Sequence, residues 1–541
     1  MNVEGDDMNL TWWQQMVCYQ VYPRSFKDTN NDGIGDINGI IEKLDYLSWL
    51  GVNAIWLSPV YVSANDDFGY DIIDYYDINQ EYGTLDDMKR LIEKATEKNI
   101  KIIMDLVMNH TSDEHPWFIE SKDPNSAYRD YYIYKEGKNG KVPNNWTGFF
   151  GGSVWQKTER GDFYLHLFSH KQPDLNFKNP KVKEEFKKIM AFWLDLGIAG
   201  FRCDVCNVFY KESLENGKFR LVLKGLEHYH QTKRNHEILQ ELKQAFNKDY
   251  DFMMVGETVM INPKMANDLL STEKELDLVF SFEHMETDQI NNKWFKRKHR
   301  PERLIKALMK WQTQVDWNAN YFENHDQPRS VYRFGDKRYH YYSATMLSTL
   351  LLSLRGTPFI YQGQEIGMTN FDFTQMDQFK DTESKRIYEI GRKLRIPKKY
   401  LFKMIKTSSR DNARTPMQWD TSEGFSQAVP WLAINPNQKD INVKSQMIQE
   451  KSVLKYYKKM INVRKENKPL VEGTISFIKT PKGVLGFERT YQDKKLLVVI
   501  NLTNKVKKMA LHRSQILINN YETVLKHKLM PYQALIIGGG L

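Results

Sequence analysis

The chain has 541 residues, of which 41% are hydrophobic, 13% aromatic and 27% charged, and its formal net charge is +9. This length exceeds what one hydrophobic core supports, so we expect two or three domains. The basic excess is scattered along the chain. Its densest stretch, residues 294–303, is explained by a solvated loop, so no nucleic-acid partner is expected.

The cysteine content predicts a reducing compartment. Three cysteines, Cys18, Cys203 and Cys206, are too few for a disulfide framework. The last two have the spacing of redox and metal sites, but they flank Asp204 at the end of an apolar run, which favours packing thiols. The sequence predicts neither a signal peptide nor a transmembrane helix, so we expect a cytoplasmic protein without a membrane partner.

Short apolar runs alternate with amphipathic segments along most of the chain. The runs are residues 17–21, 54–57, 102–107, 199–202, 253–257, 278–282, 320–324 and 358–361. Helical patterns lie between them, for example at 85–98 and 182–196. Repeated βα units of this kind predict an α/β fold, the closed parallel (β/α)8 TIM barrel. Such a barrel keeps its active site at the C-terminal ends of the strands, where His110 and His325 are expected.

Two segments depart from the βα pattern. Residues 111–177, rich in Tyr, Trp, Gly and Asn, are too long for a βα loop and predict a small inserted domain, domain B, after the third strand. Beyond residue 468 the apolar pattern alternates with period two, which predicts a C-terminal antiparallel β domain. We therefore expect a catalytic barrel over residues 1–110 and 178–467, the insert over 111–177 and a β-sandwich over 468–541.

Three carboxylates follow apolar runs and are candidate catalytic groups: Asp204, Glu257 and Asp326. Cleavage of a glycosidic bond requires two carboxyl groups, one ionised and one protonated. Arg202 lies two residues before Asp204, so both side chains share a strand face, and its charge is expected to lower the pKa of Asp204. Glu257 has no adjacent base in sequence, which suits a protonated acid. Each group alone is also explained by a structural ion pair or a solvated acid.

Five sequence blocks together indicate a family. They are Asp-Leu-Val-Met-Asn-His at 105–110, Gln-Pro-Asp-Leu-Asn at 172–176, Gly-Phe-Arg-Cys-Asp at 200–204, Gly-Glu-Thr-Val at 256–259 and Glu-Asn-His-Asp at 323–326. With them, the chain resembles the α-amylase superfamily of glycoside hydrolases, specifically the oligo-1,6-glucosidase (isomaltase) and α-glucosidase branch. The resemblance covers essentially the whole chain.

The resemblance implies a role for each matching residue. Asp204 corresponds to the nucleophile, Glu257 to the general acid and then base, and Asp326 to a residue that binds the sugar hydroxyls. The implied substrate-binding residues are Asp67, Tyr70, His110, Arg202, Val205, His325 and Arg410. Arg410 is equally explained by a structural salt bridge. A carboxylate that reaches C1 directly, with no room for water, implies retention of configuration. A pocket rather than an open groove favours exo-action on a small oligosaccharide, and we expect a monomer or weak oligomer.

Val205, the residue after the expected nucleophile, carries the linkage prediction. In the resembling family, Val at this position is associated with α-1,6 bonds, and Thr or Ala with α-1,4 bonds. A β-branched apolar side chain would crowd the second sugar site, which a flexible 1,6 linkage can avoid. A contact of this size changes preference by only about 1–3 kcal/mol.

Residues 28–36 read Asp-Thr-Asn-Asn-Asp-Gly-Ile-Gly-Asp and predict a cation-binding loop. The donors would be Asp28, Asn30, Asp32, Asp36 and the backbone carbonyl of Ile34. Alternating oxygen donors around a glycine turn suit a hard divalent cation, usually Ca2+. An Asx-rich turn without an ion is the alternative. By the resemblance the ion is structural, and no organic cofactor is expected.

Four other functions stay open. An α-1,4-preferring maltase or sucrase and a trehalose-6-phosphate hydrolase would use the same carboxylates. No additional cations for a phosphate can be placed from the sequence. Sucrose isomerases carry an Arg-rich loop after the sixth strand, where this chain reads Glu-His-Met-Glu-Thr-Asp at 283–288. A non-catalytic scaffold would have lost the carboxylates.

Overall fold

The computed structural model describes residues 10–270, 275–422, 424–510 and 515–539. A parallel sheet of eight strands lies at its centre: β1 (Cys18–Val21), β2 (Ala54–Leu57), β3 (Lys101–Val107), β4 (Gly200–Asp204), β5 (Met253–Glu257), β6 (Leu278–Phe280), β7 (Ala319–Asn320) and β8 (Thr357–Tyr361). The spatial order is β6-β5-β4-β3-β2-β1-β8-β7. Tyr321 follows β7 and donates its hydroxyl to the carbonyl of Ser281, which follows β6, at 2.9 Å. The two edge strands therefore lie side by side, and the predicted barrel is confirmed.

The central strands are buried along both faces, as parallel sheets require. In the parallel register, β4 pairs Gly200 with Met253 of β5 and with Ile103 of β3. A Cβ atom on Gly200 would lie 2.2 Å from the carbonyl oxygen of Met253, so only glycine fits there. This close approach fixes the start of the strand that ends at Asp204.

Helices surround the sheet, and several of them begin at residues that commonly cap helices. The longer ones are Leu85–Glu97, Pro180–Asp195, Lys233–Gln244, Pro301–Gln314, His340–Ser353, Thr382–Lys393, Lys398–Ser408 and Val453–Glu466. Shorter ones are Trp12–Gln15, Ile37–Glu42, Leu44–Leu50, Pro116–Ser121, Pro263–Leu269, Ser330–Phe334, Asp411–Arg414, Val443–Ile448 and Lys468–Val471. Thr84 and Asp87 form a capping box on the first long helix, and Asn179 caps the second. Among the described residues, no helix has the length and apolar character needed to cross a membrane.

Two further sheets lie where the sequence predicts extra domains. Within the insert, the strands Tyr134–Lys135, Trp155–Lys157 and Phe163–Leu165 form one antiparallel sheet. The C-terminal sheet contains Thr474–Phe477, Val484–Tyr491, Lys494–Asn501, Ile516–Asn519 and Ala534–Gly538, and Lys507–Lys508 pairs with Lys528–Leu529 beside it. Two hairpins, Tyr61–Ser63 with Ile72–Ile78 and Gln289–Ile290 with Asn292–Lys296, were not predicted. The antiparallel C-terminal domain is confirmed, and the residue boundaries of the domains stay predictions.

The seventh strand is shorter than the predicted run at 320–324 and begins one residue before it. It covers Ala319–Asn320, so the Glu-Asn-His-Asp block at 323–326 lies in the loop beyond it. Glu323 accepts hydrogen bonds from the backbone N–H and hydroxyl of Ser330 and pairs with Arg329 at 3.1 Å. These local side-chain bonds replace ladder bonds beyond Asn320.

Two buried arginines join the barrel to the C-terminal domain. Arg464 donates to the carbonyls of Gly356 in the barrel and Leu470 in the C-terminal segment at 2.7 and 2.9 Å. Arg489 of the C-terminal sheet donates to the carbonyl of Ser353 in the barrel at 2.7 Å. Burial lowers the pKa of Arg464 to about 10. Backbone carbonyls, rather than carboxylates, therefore stabilise both guanidinium groups.

The three cysteines are free and buried, as expected for packing thiols. The sulfur of Cys206 lies 3.4 Å from the carbonyl oxygen of Glu257. Burial is the main reason that the pKa of the Cys203 and Cys206 thiols is raised. Neither has the exposed, electropositive surroundings of a reactive cysteine.

Candidate active site

The barrel brings two of the three predicted carboxyl groups to neighbouring strand ends. Asp204 is the last residue of β4 and Glu257 the last of β5, and these strands pair in parallel with Cys203 opposite Gly256. Both side chains are almost fully buried. Asp326 lies beyond β7 with its side chain 28% exposed. The pair is thus set by strand register, whereas a loop positions Asp326.

Arg202 is the centre of this site. Its Nη1 lies 2.8 Å from Asp204 and also contacts Asp105, and its Nη2 lies 2.5 Å from Glu257. The guanidinium is fully buried, and Trp56 donates its indole N–H to the other oxygen of Asp105 at 2.8 Å. One cation therefore holds three carboxyl groups on adjacent strands.

The charge balance differs from the sequence prediction. Burial is the dominant effect on Asp204 and raises its pKa well above the usual range, with Glu257 acting in the same direction and Arg202 opposing it. Burial likewise raises the pKa of Asp105 to about 6 against the effect of Arg202. Arg202 does act to lower the pKa of Asp204, as expected, but desolvation and the neighbouring carboxyl groups outweigh it, so the net change is upward. Glu257 has no basic neighbour in the sequence, but the strand register brings Arg202 against it.

Asp326 lies in the opposite electrostatic setting. Arg414 contacts it at 2.8 Å, and Arg410 lies 3.5 Å away. Burial on its own would raise the pKa of Asp326, but the nearby positive charges outweigh burial and lower that pKa far below the usual range. Arg410 also contacts Asp67 at 2.8 Å and Asp381 at 2.7 Å. Arg410 thus connects Asp67 and Asp326, two of the predicted site residues. Its contacts are salt bridges, the structural explanation that the sequence also allowed.

The two predicted histidines are buried and linked through Tyr70. The Nε2 atom of His325 lies 2.8 Å from the hydroxyl of Tyr70, and its Nδ1 lies 2.9 Å from the amide of Gln20. His110 places its Nε2 3.1 Å from the backbone carbonyl of Tyr70 and 3.1 Å from the side chain of Gln172. Burial lowers the pKa of each histidine to about 3. Both rings are therefore neutral at physiological pH.

Val205 has an unusual backbone for a β-branched residue. Its φ is 33°, in the left-handed region that such residues rarely adopt. The side chain is buried in an apolar cluster that includes Trp155 and Phe163 of the insert. The turn after Asp204 is therefore strained and packed against the inserted segment.

Several groups in this site were missed by the sequence reasoning. They are Gln20, Trp56, Asp381 and Arg414. Arg414 follows Arg410 by four residues within one short helical turn, a spacing that indicates a shared face and was available from the sequence. The others come from distant segments and carry no local signal.

The predicted cation loop lies apart from these residues. Asp28 accepts the backbone N–H groups of Asn31 and Gly33 at 2.7 and 2.9 Å. Asp36 accepts the N–H of Thr29 and caps the helix Ile37–Glu42. The remaining predicted donors form local turns: Asn30 bonds Asp32, and Asp32 accepts the N–H of Ile34 at 2.7 Å. Within residues 10–270, 275–422, 424–510 and 515–539, no three His, Cys, Asp or Glu side chains are grouped closely enough to hold a metal.

Two neighbouring carboxyl groups on one guanidinium, at the C-terminal mouth of a parallel barrel, are the arrangement that fits a glycoside hydrolase. The comparisons with known proteins agree. The family model described as "Alpha amylase, catalytic domain" matches residues 20–473. The chain belongs to this family.

Similar proteins extend over nearly the full length. The chain is 46% identical to an oligo-1,6-glucosidase of Parageobacillus thermoglucosidasius, covering 98% of this chain and 99% of that protein. It is 42% identical to a trehalose-6-phosphate hydrolase of Bacillus subtilis strain 168, covering 91% and 89%. Among solved structures, a mutant isomaltulose synthase of Erwinia rhapontici NX5 in complex with its natural substrate sucrose superposes with a TM-score of 0.95 at 38% identity, covering 98% and 100%.

Proposed function

We propose that the protein is a retaining, exo-acting α-glucosidase that removes α-1,6-linked glucose from isomalto-oligosaccharides and similar short α-glucosides. The observation that carries the proposal is the position of Arg202, which contacts Asp204 and Glu257 at once. Two carboxyl groups that share one guanidinium are close together, and close carboxyl groups are typical of retaining glycosidases. Full-length similarity to oligo-1,6-glucosidases supports the same reaction.

The proposed reaction has two steps. In the first, a carboxylate oxygen of Asp204 forms a bond to C1 of glucose while Glu257 gives its proton to the leaving glycosidic oxygen. In the second, Glu257 takes a proton from water, and the resulting hydroxyl displaces Asp204 from C1. Three carboxyl groups surround the single guanidinium of Arg202. Because their negative charges outnumber the positive charge, the cluster favours keeping one proton bound, and the first step uses such a proton.

The remaining predicted residues form the proposed glucose pocket. Asp326 is held ionised by Arg410 and Arg414, which suits an acceptor for sugar hydroxyl groups. Asp67 lies in the same network through Arg410. The two neutral histidines, His110 and His325, and Tyr70 supply directional hydrogen bonds. This arrangement supports recognition of a single terminal sugar.

We propose that Val205 determines the preference for α-1,6 bonds. Its position directly after Asp204, its burial and its strained backbone leave its side chain little freedom to move away from a bound sugar. Equal or better rates on maltose than on isomaltose would contradict this assignment and favour an α-1,4-preferring enzyme.

The phosphate-specific and isomerising alternatives are less favoured. The two lysines on the hairpin after β6 are already paired: Lys293 contacts Glu383, and Lys296 lies 3.3 Å from Asp288. Neither is a free cation for a phosphate. Activity on trehalose 6-phosphate above that on isomaltose, or conversion of sucrose to an isomer, would reverse this ranking.

The central experiment measures kcat/KM on isomaltose, maltose, sucrose, panose, dextran and trehalose 6-phosphate, with NMR of the first glucose released. We expect α-glucose and the highest value on short α-1,6 substrates. Asp204→Ala should abolish turnover, because it removes the covalent route. Early release of β-glucose would exclude the retaining mechanism, and substantial activity in Asp204→Ala would place the nucleophile elsewhere.

We propose that the loop at 28–36 binds a structural Ca2+. The donor set is all oxygen, which suits this ion, and the donors would be Asp28, Asn30, Asp32, Asp36 and the carbonyl of Ile34. Binding would have to replace some of the hydrogen bonds that Asp28 and Asp36 accept within the loop. Under this proposal, calcium raises the melting temperature of chelator-treated protein, and Asp32→Ala removes the effect. An unchanged melting temperature would identify the loop as an Asx-rich turn.

We propose a cytoplasmic location and a small oligosaccharide as the only partner. Three free, buried thiols fit a reducing compartment. Fractionation of cells with an antibody to the protein tests the location, and a light-scattering mass near that of a monomer tests the absence of a stable oligomer.

A further inference from the structure

The segment that follows Glu257 is hydrogen-bonded from two sides. Strand β5 ends at Glu257, and Met260, three residues later, is 55% exposed. On one side, Thr258 donates its hydroxyl to the carbonyl of Phe280 at 2.9 Å. On the other side, the contacts come from the loop that follows Asp204.

Two side chains of that loop contact Val259: His230, whose Nε2 lies 2.8 Å from the carbonyl oxygen, and Asn207, which contacts both backbone groups. The side-chain amide of Asn207 donates to the carbonyl of Val259 at 2.9 Å and accepts the N–H of Val259 at 3.1 Å. The carboxamide thus bonds both backbone groups of one residue, as a neighbouring strand would. Asn207 is fully buried, and its own carbonyl accepts the N–H of Gln231 at 2.9 Å.

The bridge connects the loops that follow the two catalytic strands. Asp204 lies three residues before Asn207, and Glu257 lies two residues before Val259. Between them, the N–H of Cys206 bonds the carbonyl of Glu257 at 3.1 Å. The ladder between β4 and β5 therefore continues past both carboxyl groups, first through backbone and then through the Asn207 side chain.

We propose that Asn207 is a positioning residue for proton transfer by Glu257. It holds the backbone of Glu257 in register with Asp204, so that the acid reaches the glycosidic oxygen while the nucleophile reaches C1. The inference rests on the proposed function. A displacement of about 1 Å in such a constellation lowers rates by about 100-fold.

Two substrates separate this role from a purely structural one. With isomaltose, the C1–O bond breaks as Glu257 protonates the departing oxygen. With α-glucosyl fluoride, the C1–F bond breaks and fluoride leaves as an anion, without a proton from Glu257. Asp204 forms the same C1–O bond in both cases. Since kcat/KM reports only the steps up to the glucosyl-enzyme, it isolates the acid function of Glu257 from its later function as a base.

The test measures kcat/KM of Asn207→Ala on both substrates. We expect a loss of about 10- to 100-fold on isomaltose and less than about 3-fold on the fluoride. The matched control is Asn235→Ala: Asn235 is equally buried and donates to the carbonyl of Cys206 at 2.8 Å, on the Asp204 side of the bridge. That variant should change both substrates by the same factor.

Equal losses on the two substrates in Asn207→Ala, or no loss on either, would overturn the proposal. If this variant does not fold, Asn207→Asp takes its place, because it keeps the volume and the acceptor for the Val259 N–H while removing the donor. Wild-type enzyme that hydrolyses the fluoride but not isomaltose would instead contradict the proposed substrate, so the two failures are distinguishable.

Discussion

Replacement of Arg202 by Met should move the acid limb of the pH profile to higher pH. In the wild-type site, burial raises the pKa of Asp204 and the guanidinium opposes that effect. Met keeps much of the volume but removes the charge. An opposite charge at this range favours the ionised form of a carboxyl group, so its loss should raise the pKa of Asp204 further. The proposed nucleophile must be ionised, so we expect activity to be lost at pH values where the wild type is active.

The same change has a calculable effect on stability. Breaking a buried ion pair costs about 3–5 kcal/mol, because the remaining charges are left uncompensated. In the variant, Asp204 would have a folded-state pKa further above its unfolded value, so ionisation at high pH destabilises the fold and protonation at low pH relieves it. The difference in melting temperature between Arg202→Met and the wild type should therefore shrink as the pH falls.

The assay measures kcat/KM on an aryl α-glucoside and melting temperature across the same pH series. Arg202→Lys is the matched control, because it keeps one positive charge but cannot contact three carboxyl groups at once. Its acid limb should lie between those of the wild type and Arg202→Met. An acid limb in Arg202→Met that does not move, or that moves to lower pH, would refute the charge balance derived for Asp204.

Three further substitutions test other parts of the molecule. Val205→Thr should lower the isomaltose-to-maltose ratio of kcat/KM by about 10-fold, equivalent to about 1.4 kcal/mol, and an unchanged ratio would contradict the linkage assignment. Gly33→Ala should lower the melting temperature, because φ is +90° there and the new Cβ would lie 2.2 Å from the carbonyl oxygen of Val429; equal melting temperatures would count against this strain. Arg489→Leu should destabilise the protein by about 1–3 kcal/mol in urea unfolding by leaving buried carbonyls unpaired, with kcat/KM preserved. A loss of activity in the folded variant would show that this junction supports the site.

Local patterns in the sequence were sufficient to predict the barrel and the main strand ends. Apolar runs bounded by helical patterns located seven of the eight strands, and the acidic residues at the ends of β4 and β5 lie where the pattern put them. The seventh run was placed too late: it shares only Asn320 with the strand, and beyond that residue Glu323 bonds Ser330 and Arg329. These bonds join residues only six and seven positions apart, but the apolar pattern does not report where a polar side chain bonds.

The electrostatics of the site were not predictable from sequence spacing. Arg202 is two residues from Asp204 but 55 from Glu257, and only the register of adjacent strands brings it to both. Reasoning from the nearest charge in sequence therefore gave Asp204 a cation and Glu257 none. In the structure, the guanidinium of Arg202 contacts Asp204, Glu257 and also Asp105.

The distribution of cations also determines which carboxyl groups can act as an acid. Asp105, Asp204 and Glu257 share one guanidinium, so full ionisation of all three would leave an excess of buried negative charge, and retention of a proton relieves it. Asp326 has two guanidinium groups within 3.5 Å, so it has no such excess and stays ionised. Under the proposed function, the proton donor belongs to the group around Arg202. Within that group Asp105 is fully buried and Asp204 is the proposed nucleophile, so Glu257 is the group proposed as the acid.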